Sequence, residues 1–155
     1  MAVVWRSVRP NYTSQILSGL GAANNPGRWN QPGEQMIYTA SSQSLSMLEL
    51  LPYLISPFPV LTMGRIEIPD DRLLYLELDE ADAMNLLADS HQSKNLGSGW
   101  LKSGESVALA VPSVHIHPSG WRKEPNVLIN PLHPDFNVVT ASGTFDFKYD
   151  DRLEK

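Results

Sequence analysis

Apolar residues fall in short runs along the chain, punctuated by proline and glycine. Val3-Val4-Trp5 reads as a first strand, stopped by the turn chemistry of Arg9-Pro10-Asn11. Tyr12 to Leu20 has the make-up of a short helix that Gly19 and Gly21 end, and Ala22 to Pro26 is a loop. Met36-Ile37-Tyr38 is a strand-type run. The serines at 41, 42 and 44 offer a hydroxyl to cap a helix in which Leu45 and Leu48 share an apolar face, with Glu49 at its edge. Pro52 should end that helix, because it lacks an amide donor.

Val60 to Ile68 and the alternating Leu74, Leu76 and Leu78 predict two more strands, and Asp79 is placed to cap a helix running to about Ala88. Asp89 to Gly99 is polar and contains glycine, so it reads as a loop, with order resuming at Trp100-Leu101. Val107 to Val111 is continuously apolar and predicts a buried central strand. Val127-Leu128-Ile129 predicts another buried strand and Thr144 to Phe147 a last one. Strands outnumber short helices, and the order is not a clean βαβ alternation. The expectation is an α+β fold, a single compact domain over residues 1–155 with a mixed, mostly antiparallel sheet.

Composition narrows this further. A chain of 155 residues, 42% hydrophobic and 19% charged, fits one ordinary globular domain. No apolar run reaches membrane-span length, and Arg6 comes too early for a secretory signal, so the default compartment is the cytoplasm. Without cysteine there is neither a disulfide nor a thiol nucleophile. The net charge of −5 argues against a broad nucleic-acid footprint. It leaves room for an anionic small ligand held by a few focused arginines.

Candidate chemistry centres on Gly27-Arg28-Trp29-Asn30, Tyr38 and Glu49. Arginine forks onto phosphate or carboxylate, tyrosine offers a flat face for a ring, and glutamate can bind sugar hydroxyls or steady developing positive charge. The trio also fits a purely structural reading, with Arg28 ion-paired, Tyr38 in the core and Glu49 solvated. Arg6, near the end of the first strand, is either a second anion contact or an exposed surface arginine. Ser113 sits where a buried strand ends and is better suited to hydrogen-bonding a ligand than to nucleophilic attack, since no nucleophile elbow surrounds it. His115 and His117 would face one side of a strand and could share a metal, but no third ligand is apparent, so loop histidines are the better reading and no metal is expected.

In order along the chain, Gly27-Arg28-Trp29-Asn30, Tyr38-Thr39, Leu48-Glu49, Val111-Pro112-Ser113, Glu124 to Pro131, His133 to Phe136 and the ending Asp150 to Leu153 resemble the RES domain family. The resemblance spans nearly the whole chain. It implies a fold like that of ADP-ribosyltransferase toxins and the role of toxin in a bacterial type II toxin–antitoxin pair. It further implies an Xre-type helix-turn-helix antitoxin as partner, with any DNA contact made by that antitoxin. The activity implied is NAD degradation with release of nicotinamide, to water or to inorganic phosphate, NAD being substrate rather than cofactor. On this resemblance Arg28 holds the phosphates or the nicotinamide ribose, Tyr38 orients the nicotinamide, Glu49 binds the ribose and stabilises positive charge, and Ser113 positions the same part. Arg6 and Asn126 are further binding candidates. The alternatives are ADP-ribose transfer to a specific protein, or an inactive nucleotide-binding module that docks the antitoxin. One departure is Pro26, where the family commonly has glycine.

Overall fold

The computed structural model describes residues 1–154. Seven strands form one sheet: β1 (Ala2–Val8), β2 (Ile37–Ala40), β3 (Leu61–Ile68), β4 (Leu73–Tyr75), β5 (Ala108–Val111), β6 (Asn126–Ile129) and β7 (Thr140–Phe147). Their spatial order is β4-β5-β6-β2-β1-β3-β7. Only the β4–β5 pairing is parallel among the described residues. The expected α+β class with a mixed, mostly antiparallel sheet is what the chain adopts. The run Val107 to Val111 is buried as its composition requires, but β5 lies beside the edge strand β4, and β2 occupies the centre.

Both faces of the sheet are covered, which explains why β5 and β6 are continuously apolar rather than alternating. Ala108, Ala110, Val127 and Ile129 pack on one face with Val4, Ile37 and Ile66. Leu109, Val111 and Leu128 pack on the other with Trp29, Met36, Leu86 and Trp100. Among the described residues four α-helices complete the fold: α1 (Leu20–Asn24), α2 (Gln43–Leu50), α3 (Glu80–Ala88) and α4 (Ser90–Ser103). Ser42 caps α2 through Leu45 N, and Asp79 caps α3 through Asp82 N, as the sequence predicts.

Three local expectations are corrected. The polar stretch after Asp89 is helical, and at 14 residues α4 is the longest helix described. Asp89 Oδ1 accepts from His91 N and Gln92 N to start it, and Gly104, at φ 62°, ends it. Its inward face is small rather than apolar, with Ser93, Gly97 and Ser98 buried beside Trp100. Tyr12 to Leu20 is not an α-helix; a 3-10 turn spans Pro10–Gln15, and α1 then runs through Gly21. Leu48 does not share the buried face of α2 with Leu45, being 41% exposed while Ser46 turns inward.

The feature that makes room for a site lies mid-sheet. β1 pairs with β3 over seven residue pairs but meets β2 only at Trp5↔Ala40. The two halves of the sheet part beyond that pair, with Arg6 following Trp5 on one strand and Tyr38 preceding Ala40 on the other.

Candidate active site

Residues 27–30 form a loop tied together by one side chain. Asn30 is fully buried; its Oδ1 accepts from Gly27 N at 2.8 Å and from the Tyr38 hydroxyl at 2.7 Å. Its Nδ2 donates to Ala22 O, Gln31 O and Glu34 O at 2.8, 3.2 and 3.1 Å. Trp29 N in turn donates to the Tyr38 hydroxyl at 3.0 Å. Glycine is required at 27 because a Cβ there would stand 2.7 Å from the Tyr38 ring and hydroxyl. Burial pushes the Tyr38 phenol well above its ordinary range, so it remains a neutral donor to Asn30.

The loop presents Arg28 outward while Trp29 anchors the core. Arg28 Nη1 donates to Leu87 O at 2.8 Å, and Ser93 on α4 donates to Arg28 O at 2.9 Å. Arg6 is held similarly, with Nη1 donating to Ile16 O at 2.7 Å and Ser18 O at 3.0 Å. Burial pushes its guanidinium down to about 10. That is still charged at neutral pH.

Glu49 closes α2, and its carboxylate gathers three side chains from the β5–β6 region. Ser113 Oγ donates to Oε1 at 2.6 Å and Asn126 Nδ2 to the same oxygen at 2.5 Å. His115 Nε2 lies 3.6 Å from Oε2, and His115 N donates to Ser113 Oγ at 3.1 Å. The pairing Val111↔Asn126 explains the convergence, since Ser113 lies two residues past the end of β5 and Asn126 opens β6. Two donors fix Oε1, so Oε2 is the oxygen presented to a ligand.

Arg6, Arg28, Tyr38, Glu49 and the side chains gathered on Glu49 line one cleft of about 630 Å³, within the roughly 300–1,000 Å³ usual for small-molecule sites. A chamber of about 180 Å³ adjoins it, sharing Arg6, Tyr38, Glu49 and Asn126. Among the described residues no group of three or more His, Asp or Glu could hold a metal. His115 and His117 do not lie on a strand: His115 faces Glu49, whereas His117 Nδ1 meets Ser119 Oγ at 2.8 Å.

A family model for the RES domain matches residues 3–150. The chain belongs to the RES domain family. A protein named Toxin Res from Photorhabdus laumondii is 31% identical, the match covering 99% of this chain and 97% of its own. A protein named Prs ADP-ribosylating toxin from a Sphingobium species is 34% identical over 92% of this chain and 89% of its own. Among solved structures, a chain of the M. tuberculosis MbcT-MbcA toxin-antitoxin complex superposes with TM-score 0.71 at 18% identity, covering 94% of this chain and 83% of that one. At that identity the likeness shows the fold.

The six residues singled out in this RES sequence, Arg6, Arg28, Tyr38, Glu49, Ser113 and Asn126, all line the same cleft. Arg6 is half-buried rather than an exposed surface residue. Pro26 lines the cleft as well, and the Gly27–Asn30 bond forms behind it. His115, Lys94 and Ser90 also line it. Lys94 and Ser90 lie on the helix whose polar composition reads as a loop. His115 reaches the cleft from a turn, in keeping with the loop reading of that histidine.

Proposed function

We propose that this RES protein is the toxin of a toxin–antitoxin pair and that it cleaves the nicotinamide–ribose bond of NAD in this cleft. The observation that carries the reading is the Glu49 carboxylate, its Oε1 held by Ser113 and Asn126 and its Oε2 beside His115, in a cleft that Arg6 and Arg28 also line. The nicotinamide nitrogen of NAD is already cationic, so the C–N bond can break with its electron pair leaving on neutral nicotinamide, and no strong acid is needed. The ribose then carries oxocarbenium character, as in glycoside hydrolysis. Glu49 Oε2 stabilises that charge and binds ribose hydroxyl, and a fixed carboxylate counts most where water is thinned out. Arg28 holds phosphate, the Tyr38 ring orients the nicotinamide, and Arg6 supports the anionic product. The acceptor, water or inorganic phosphate, adds at the anomeric carbon and gives up its proton to Glu49 and then to solvent.

Toxin Res as the name of close relatives, and a toxin–antitoxin complex as the setting of the structural neighbour, support a cognate antitoxin as partner. The family resemblance suggests an Xre-type helix-turn-helix protein. Such a toxin would act in the cytoplasm on the NAD pool. The name of the Sphingobium relative favours a second reading, in which the same bond breaks but ADP-ribose passes to a protein.

Purified protein incubated with NAD, with and without phosphate, should release nicotinamide in the absence of any other protein. Free ADP-ribose would indicate hydrolysis, and its 1″-phosphate ester phosphorolysis. Turnover only when a cell extract is added, with label passing to a protein, would replace the first reading by the second. A folded chain that neither turns over NAD nor binds ADP-ribose would refute both and leave a docking module.

A further inference from the structure

Lys94 is the cleft residue for which neither the family motif nor the local packing accounts. It projects from α4 into the cleft, half-buried, one helical turn beyond Ser90, which also lines it. Among the described residues no carboxylate lies within 4 Å of its ammonium. The preceding residue, Ser93, donates to Arg28 O at 2.9 Å. Gln31 Nε2 donates to Asn95 Oδ1 at 3.3 Å, and Gly97 packs against the Trp29 carbonyl. The helix bearing Lys94 is therefore clamped at three points to the loop bearing Arg28, and the two cations share one wall of the cleft. Asp89, the nearby carboxylate on this helix, is committed to the amides of His91 and Gln92.

We infer that Lys94 and Arg28 together form a subsite for a diphosphate, so that the cleft selects a dinucleotide over nicotinamide mononucleotide. The inference rests on the NAD-cleaving reading and adds to it a residue that sets substrate choice. A fork and a point charge suit a diphosphate well: the guanidinium of Arg28 pairs with two oxygens in its plane, while an ammonium serves from any direction. The diphosphate of NAD spreads about two charges over two phosphates, whereas the terminal phosphate of nicotinamide mononucleotide concentrates nearly as much on one, so Lys94 discriminates by meeting the second phosphate, which the mononucleotide lacks. Lys94 touches no reacting atom, so it contributes binding common to ground and transition states.

The test compares wild type, Lys94→Ala and Lys94→Arg in steady-state cleavage of NAD and of nicotinamide mononucleotide, with calorimetric binding of ADP-ribose alongside. Lys94→Ala should raise KM for NAD about tenfold and leave kcat within about twofold, the signature of lost uniform binding. The KM for nicotinamide mononucleotide should hardly change, the ADP-ribose Kd should weaken in step with KM for NAD, and Lys94→Arg should recover most of the loss. An unchanged NAD KM and ADP-ribose Kd in Lys94→Ala would overturn the subsite. So would a fall in kcat alone, or equal losses on both substrates. If wild type itself neither cleaves NAD nor binds ADP-ribose, the NAD reading fails and takes the subsite with it; if wild type does both, a negative result at Lys94 falls on the subsite alone.

Discussion

Two glycines in α4, Gly97 and Gly99, should respond to alanine with opposite signs, although helix propensity favours alanine at both by about 0.8–1 kcal/mol. A Cβ on Gly97 would stand 1.8 Å from Trp29 O, 2.7 Å from its carbonyl carbon and 3.1 Å from its Cα. All three are backbone atoms, so no side chain can swing aside. Reaching an ordinary contact of 3.4 Å requires α4 and the 28–29 loop to part by about 1.6 Å. Overpacking of this kind costs about 1–3 kcal/mol, and more where backbone must move, so a net loss of about 2 kcal/mol remains after the propensity gain. The parting also strains the Ser93–Arg28 bond at 2.9 Å and carries Lys94 away from Arg28. Gly99 is exposed, and a Cβ there meets nothing within 4 Å, so alanine should stabilise by up to about 1 kcal/mol. In a domain of this size the two should differ by roughly 6–12 °C in Tm, with Gly97→Ala below wild type and Gly99→Ala above it. Thermal and urea unfolding of the three proteins, with NAD turnover on each, decides the matter. If both substitutions stabilise, or if Gly97→Ala unfolds at the wild-type midpoint, the close approach of α4 to the arginine loop is wrong.

Other substitutions separate chemistry from architecture. Glu49→Gln keeps an oxygen for Ser113 and Asn126 but removes the charge, so nicotinamide release should fall by about 10²–10³ while the urea midpoint barely moves. Asn30→Asp replaces a donor to three carbonyls by a carboxylate oxygen facing them, and should destabilise by about 3 kcal/mol or more, measured by denaturant unfolding. Tyr149, whose hydroxyl donates to Met47 O, is pushed up by burial to about 12. Its proton is held more tightly folded than unfolded, so the stabilisation is complete below the ordinary phenol value and is lost as pH rises through about 10 to 12. Tyr149→Phe should therefore lower stability by about 1 kcal/mol at pH 8 and flatten the decline above pH 10, read from urea midpoints across that range.

What the sequence disclosed and what it hid have separate physical causes. Ser42 and Asp79 announced their helices because a cap acts over three residues. The runs in β5 and β6 announced burial on both faces because hydrophobic content is itself the signal. By contrast, α4 gives no apolar period, since Ser93, Gly97 and Ser98 are small where a typical helix would show leucine. Gly97 lies against the Trp29 backbone, Ser93 bonds Arg28 O and Ser98 bonds the Glu34 carboxylate, constraints set about 65 residues away in the chain. Lys94 is hidden along with that helix. Arg6 was legible as a possible anion contact, but nothing local says that β1 and β2 part after one residue pair and let its guanidinium line the opening. The closeness of Glu49 to Ser113, Asn126 and His115 arises from sheet pairing, which no local pattern encodes.

The charged groups of the cleft have one thing in common: their direct hydrogen-bond partners are neutral. Arg6 is anchored by the carbonyls of Ile16 and Ser18, Arg28 by that of Leu87, and Glu49 Oε1 by a hydroxyl and an amide. Anchors of this kind fix the direction of a charge without cancelling it. A carboxylate partner for Arg6 would have eased the desolvation that lowers its proton affinity, at the expense of the field it offers an anion. In a chain of net charge −5, carboxylates were available in number, and the cleft nonetheless draws on backbone dipoles. Among the described residues neither Arg6 nor Arg28 has an ion-pair partner, so their half-buried charge is uncompensated, and an anion that fills the cleft relieves it. Binding of ADP-ribose should accordingly raise the unfolding temperature in proportion to the logarithm of its concentration, and the increment should shrink when Arg6 is replaced by methionine.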